Sequence, residues 1–415
     1  MSRSHKYSPL FFRLSILLVV VMVSTACRTG QAVPETQGPR TYADPVLANT
    51  ALGLDLYRHV SESDGNIVYS PLSISMALAM TQAGARGETA EQIAGAIRFD
   101  GDSAALEQGY GRLTGLFEHD DAGELSVSLA NSLWVQMGLS YGIDFLQTLE
   151  RSYDSEMRQV DFRADPEESR RLINAWVAEN TRDLIDELLP RGIIRPQTRL
   201  VLVNALYFKG AWVHAFPEGN TRPAPFHIAD KQTSEVPMMR QKAQLRHRTS
   251  GDHDIVELPY ADGDFSMVVI MPKRTTTAHF LSQTTPGALQ ELFDGLELGR
   301  VQLGLPRFDV TSPIPLRETL IAVGMPLPFD PDQADFSPIT REEQLYLDNV
   351  VHEATITVDE KGTEAAAATA AIIAVESEGP PEKVVNITFD RPFVFFLRDR
   401  QTSAVLFMGE IVDPS

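Results

Sequence analysis

Cysteine occurs once in the 415 residues, at Cys27, so an internal disulfide is excluded and stability has to come from packing. The nine histidines are scattered and form no ligand cluster. His352-Glu353 opens like a zinc-protease motif, but Ile356 stands where the second histidine would be needed. A G-x-S-x-G elbow, a phosphate-binding loop and a G-x-G-x-x-G turn are all absent. With no cysteine nucleophile after Cys27 either, the sequence points away from an enzyme and implies no cofactor or metal. Positive charge is scarce: 36 Lys and Arg face 56 Asp and Glu, a formal net charge of −20. Such a surface repels nucleic acid, heparin-like polyanions and anionic headgroups, so any membrane association must be covalent or hydrophobic.

Apolar runs are short. Leu14 to Val23 follow the basic residues Arg3, Lys6 and Arg13, a layout that reads as an export signal over residues 1–26 and is too short for a comfortable span. Ser24-Thr25-Ala26 then precede Cys27, which resembles a bacterial lipobox whose thiol is acylated, although Ser24 stands where leucine or valine is usual. Ordinary cleaved secretion and an uncleaved anchor are the alternatives. Residues 27–44 are polar with two prolines and read as a tether, leaving 45–415 as the folded domain, exported to the cell envelope or beyond.

The length of the chain allows a large core. Apolar Val46, Leu47, Ala51, Leu54 and Leu56 predict a helix over Pro45 to Val60, with Asn49, Asp55 and Arg58 on its other face. Ser70-Pro71 start a second helix, capped by serine with proline in the first turn, and Gly84 ends it. Thr89 to Gln92 has capping-box spacing ahead of a third helix that ends near Arg98. Alternation predicts a strand over Leu125 to Gln136. Helices are expected over Phe145 to Tyr153 and Glu167 to Leu188, the latter with Leu172, Ile173, Trp176, Val177 and Leu184 on one side. Leu200 to Phe208 suits a strand covered on both faces, Asp254 to Pro272 a hairpin turning at 261–264, and Val301 to Val310 another strand. Phe393 to Leu397 and Ala404 to Val412 read as buried strands. Asn386-Ile387-Thr388 is a formal sequon, read here as an ordinary strand edge.

The stretch from Val358 to Pro392 is unlike the rest. Gly362, Thr363 and Glu364 lead into small residues from Ala365 to Ala371, and no bulky group occurs before Ile372. Alanine propensity alone would make this a helix. Ser377 to Pro381 follow, however, and a connection of about 30 residues between strand-like segments is longer than compact domains tolerate without a functional reason. The segment resembles the hinge and reactive-centre loop of the serpins, with GTEAAAATA similar to the clade that inhibits leukocyte proteases. Further serpin-like blocks are NIVYSPLSISMALAM (Asn66 to Met80), LVNALYFKGAW (Leu202 to Trp212), VELPYADGDFSMVVIMP (Val256 to Pro272), LPRF (Leu305 to Phe308) and DRPFVFFLRD with VLFMGEIVDP (Asp390 to Pro414).

The resemblance implies an α+β serpin fold: one domain with three β-sheets, about eight to nine helices and an exposed loop over about 360–391. It implies a monomer that inhibits a serine-type endopeptidase, or a papain-like cysteine protease, as a covalent complex. The protease attacks the loop to form an acyl-enzyme. The hinge then inserts into the main sheet and distorts the captured active site. A non-inhibitory binding or structural serpin is the runner-up. Carried onto this sequence, the hinge is Glu360, Gly362, Thr363, Glu364, Ala365, Ala366, Ala367 and Ala368. The shutter is Ser70, Ser73, Asn204 and His352, and the breach is Trp212 with an Arg307–Glu360 ion pair. Family loop length puts the reactive bond at Glu376-Ser377, which would suit a protease with a basic pocket; neighbouring Ile373, Ala374 and Val375 would suit elastase-like or subtilisin-like enzymes. With a strand period of two, Thr363, Ala365, Ala367, Thr369 and Ala371 would face the core. Gaining about 10 to 20 backbone hydrogen bonds, at roughly 0.5–1.5 kcal/mol net each, gives a driving force on the order of 10 kcal/mol.

Overall fold

In a computed structural model that describes residues 41–60, 65–114, 125–153, 155–183, 185–228, 232–261, 263–363 and 383–415, the chain begins with α1 (Pro45–Val60). Asn49, expected on its outer face, is buried: it donates to the carbonyl of Val405 at 2.9 Å and accepts from Ser75 at 3.1 Å. Satisfying both ends of the amide lets a polar group sit inside. After β1 (Ile67–Tyr69) comes α2 (Pro71–Ala83), where the Ser70 hydroxyl accepts from Ser73 N and Gly84 closes the helix as expected. Apolar along almost its whole length, α2 lies in the core rather than on it.

The third helix, α3 (Gly87–Ile97), starts two residues before Thr89, so the expected capping box does not form. Thr89 and Gln92 instead accept from the backbone N–H groups of Asp335 and Leu327, at 2.9 and 2.8 Å, and tie a distant segment to the helix. There follow α4 (Ser103–Thr114), β2 (Leu125–Gln136), α5 (Ile143–Tyr153), β3 (Glu156–Val160) and α6 (Pro166–Asn180). Eight residues earlier than expected, α6 ends where Arg182 and Asp183 take positive φ, 53° and 61°. It buries Ile173 and Val177, while Leu172 is 47% exposed and Leu184 lies outside the described residues.

The rest is mainly strand: β4 (Leu200–Ala211), β5 (Arg222–His227), β6 (Thr233–Thr249) and the hairpin β7 (His253–Pro259) to β8 (Phe265–Pro272). Short helices α7 (Thr277–Gln283) and α8 (Pro286–Asp294) precede β9 (Glu297–Pro306) and β10 (Phe308–Pro315). The single strand expected over 301–310 is thus broken at Arg307, where the chain passes from one sheet to the other. Pro306 has no N–H to continue a ladder. The chain ends with α9 (Leu316–Ala322), β11 (Asn349–Val358), β12 (Gly362–Thr363), β13 (Val385–Thr388), β14 (Phe393–Asp399) and β15 (Val405–Ile411).

Nine α-helices surround two ladders among the described residues. One runs β1-β15-β14-β8-β7-β6-β9-β13 with β5 on β6; the other runs β10-β11-β12-β4-β2-β3. Two of the three expected sheets run together because β6, at 17 residues, pairs with β5 at its start, β9 along its middle and β7 at its end. The final hairpin is buried as expected, with Phe393 to Leu397 at 0% exposure.

Candidate functional site

The six-stranded sheet has an incomplete seam. Strands β4 and β11 pair in parallel only from Val201–Asn349 to Ala205–Glu353. Higher up, β12 stands between them, with Thr363 opposite Val358 on one side and Gly362 and Thr363 opposite Ala211 and Gly210 on the other. Four residues on each strand, 206–209 and 354–357, lie between the two paired regions.

A turn built by Asp359 delivers β12 to this place. Its carboxylate accepts from the N–H groups of Lys361 and Gly362, at 2.8 and 3.1 Å, and its own N–H donates to Gly362 O at 3.0 Å. A Cβ at 362 would lie 2.0 Å from Gly210 O, so only glycine fits. Thr363 is 1% exposed, with its hydroxyl 2.6 Å from that of Tyr260. Burial holds the Tyr260 phenol well above its usual value, so it stays neutral and able to donate. The Tyr260 ring stacks on Trp212, centroids 4.5 Å apart, and meets the edge of Phe208. Trp212 in turn donates its indole N–H to Asp359 O at 3.0 Å and its backbone N–H to Lys361 O at 2.8 Å.

Glu360 completes the top of the seam. Only 4% exposed, it accepts from Arg307 at 2.6 and 2.7 Å and from Thr221 at 2.6 Å. Burial alone would raise its pKa, but the hydrogen bonds from Thr221 and Arg307 outweigh that and hold it below the usual carboxylate range. Trp212, Arg307, Glu360, Gly362 and Thr363 therefore meet in one place. Tyr260, Thr221 and Asp359 belong to the same constellation and escape a sequence reading. The Asp-x-x-Gly spacing of 359–362 was the one available signal, as a side-chain-closed turn.

Lower on the seam, His352 is 1% exposed and its Nε2 accepts from Ser70 N at 3.0 Å. That bond assigns a neutral ring with its proton on Nδ1. Burial pushes its pKa down to about 3. The Ser70 hydroxyl accepts from Ser73 N at 3.0 Å, and both serines are fully buried. Asn204 stands beside His352 in the β4–β11 register. Helix α2 thus grips the seam one pair below the point where the parallel ladder stops. Glu364, Ala365, Ala366, Ala367, Ala368, Glu376, Ser377 and Cys27 lie outside the described residues.

Residues 47–414 match the family described as Serpin (serine protease inhibitor). The leukocyte elastase inhibitor of Bos taurus is 37% identical over 378 residues, covering 88% of this chain and 98% of that one. An uncharacterized serpin-like protein of Thermococcus kodakarensis is 34% identical, covering 89% and 85%. Among solved structures, the native state of the thermophilic serpin tengpin superposes with a TM-score of 0.81 at 26% identity, covering 91% of this chain and 96% of that one. Human thyroxine-binding globulin complexed with thyroxine also gives 0.81, at 27% identity, covering 90% and 99%. The mixed α and β architecture, its divided seam and these matches agree: the chain belongs to the serpin family.

Proposed function

We propose that the protein is an irreversible suicide-substrate inhibitor of serine proteases, with cysteine proteases as a secondary class. The protease's serine hydroxyl attacks the carbonyl carbon of Glu376, the bond to Ser377 breaks, and the Ser377 amine leaves with a proton from the protease's general acid. An ester joins inhibitor and protease. Insertion of the freed hinge then disables the active site before water cleaves that ester.

The observation that carries this reading is the two-residue strand β12, paired on both sides at the top of a gap in the β4–β11 seam that none of the described residues fills. Continuing its register downward would bring Glu364 to Ala367 opposite 206–209 and 354–357. Ala365 would then lie between Phe208 and Ile356, both buried, and Ala367 beside Ala354. Those four residues could enter without breaking a ladder. Ala368 would next arrive at the Ala205–Glu353 pair, the uppermost of the five parallel pairs, which would have to part from there, and Thr369 would follow between Asn204 and His352. Ser70, Ser73, Asn204 and His352 act in this reading as the releasable clasp. Trp212, Tyr260 and the Arg307–Glu360 pair act as the entry guide.

Export of this inhibitor as a lipoprotein acylated at Cys27, with residues 27–44 as tether, suits the family match beginning at 47 and α1 at Pro45. The likeness to thyroxine-binding globulin supports the second reading, a non-inhibitory binding serpin. Reaction with candidate serine proteases separates them. A denaturant-resistant complex, with release of a peptide whose mass begins at Ser377, is expected; turnover with no such complex would favour the second.

A further inference from the structure

Strand β6 carries Arg240, Lys242, Arg246 and Arg248 at alternate positions, hence on one face. Lys242 and Arg248 are exposed, and Arg240 and Arg246 are half-buried. In a chain with a net charge of −20, acidic cross-strand neighbours would be expected to neutralise such a row. Across β9 the partners of Arg240, Lys242 and Arg246 are instead Gly304, Gln302 and Leu298. On the other side Arg248 faces Ile255. Arg246 does have Glu257 opposite it, 3.7 Å from its guanidinium, but that carboxylate is 1% exposed and shared with Arg398 at 2.8 Å, and neither Lys242 nor Arg248 has an acidic residue opposite it in these ladders. Leu298 lies within this row and is 71% exposed.

Both ends of the reactive loop are tied to these strands. Arg307, which holds Glu360, donates its backbone N–H to Pro237 O near the start of β6. The C-terminal part of the stretch expected as exposed loop, 360–391, is instead strand β13, where Val385 pairs with Val301, which pairs with Ala243, next to Lys242. Arg248 is five residues further along β6, roughly 17 Å away. A protease engaged on the loop would therefore overhang this face.

We propose that the outward face of β6 and β9, centred on Lys242, Arg248 and Leu298, docks an acidic surface flanking the active site of the protease that attacks the loop. The proposal rests on the inhibitor reading and narrows the target to proteases with an acidic rim. An exposed leucine among the cations favours a protein partner over a linear polyanion, which has no apolar surface to cover it. The cations also offset locally the repulsion that the chain's overall charge imposes on an acidic enzyme.

The test measures association rates of the full chain and of a Lys242→Glu, Arg248→Glu double variant with a panel of serine endopeptidases of acidic and basic surface, at low and high salt. With an acidic protease the variant should associate roughly 10- to 100-fold more slowly at low salt, converging with the parent at high salt. The number of inhibitor molecules consumed per protease trapped should not change. Leu298→Ser should weaken docking of the same protease at both salt concentrations. Non-covalent binding to a protease whose catalytic serine is replaced by alanine reads the face even if no covalent complex forms, so failure of docking and failure of inhibition are distinguishable. Equal rates and equal non-covalent affinities for parent and variants would overturn the proposal. So would charge-dependent retention on dextran sulfate combined with unchanged protease binding, which would make the face a polyanion site.

Discussion

Thr363→Arg is expected to be cut in its loop like the parent and to release active protease. The parent threonine is 1% exposed, hydrogen-bonded to Tyr260 and paired with strands on both sides. A guanidinium there must be buried against the Tyr260 and Trp212 rings, while the Glu360 carboxylate is already taken by Arg307 and Thr221 and that of Asp359 by two backbone N–H groups, and a buried charge without a free partner costs several kcal/mol. Because 1.4 kcal/mol on a barrier is tenfold in rate, insertion should slow by well over about tenfold and lose its race with hydrolysis. Gel analysis of variant and protease should show cleaved inhibitor without complex. Complex at the parent's yield would remove Thr363 from the insertion path.

Acid should loosen the clasp through His352. Its pKa is depressed to about 3 by burial, against 6.5 for a solvated imidazole. Below the unfolded value the unfolded chain takes up a proton that the folded ring refuses. The stabilisation is therefore complete above 6.5 and is lost as pH falls toward 3, by about 1.4 kcal/mol per pH unit. Between pH 7 and pH 5 the parent should lose about 2 kcal/mol more unfolding free energy than His352→Gln, which keeps an acceptor for Ser70 N but cannot titrate. An equal loss in the two proteins would mean that His352 is not the titrating group. If the clasp also gates the seam, the parent's loop insertion should quicken over the same pH range.

Much of this fold is legible locally. The serine cap and first-turn proline set the start of α2, alternation of apolar residues bounds β2 at Leu125 and Gln136, and β7 ends at Pro259 and β8 begins at Phe265, either side of the expected turn. Where the reading missed, a distant partner decided. Asn49 is buried because Val405 and Ser75 satisfy it, and Thr89 serves Asp335 rather than its own helix. The break at Arg307 follows from which sheet each half joins, of which Pro306 is the one local mark. The same holds for the site. Glycine, small residues and a charged approach marked the hinge, whereas Tyr260 looked like any aromatic at the end of a hairpin, and Thr221 like any loop threonine. Their roles exist only once Thr363 and Glu360 are folded against them.

On the proposed mechanism the sheet has room for one more strand, supplied by the loop once it is severed. Thermal unfolding of intact and loop-cleaved protein tests it most directly. Insertion worth on the order of 10 kcal/mol should raise the melting temperature of the cleaved form by more than about 10 °C. Cleaved material that melts with the intact protein would contradict it.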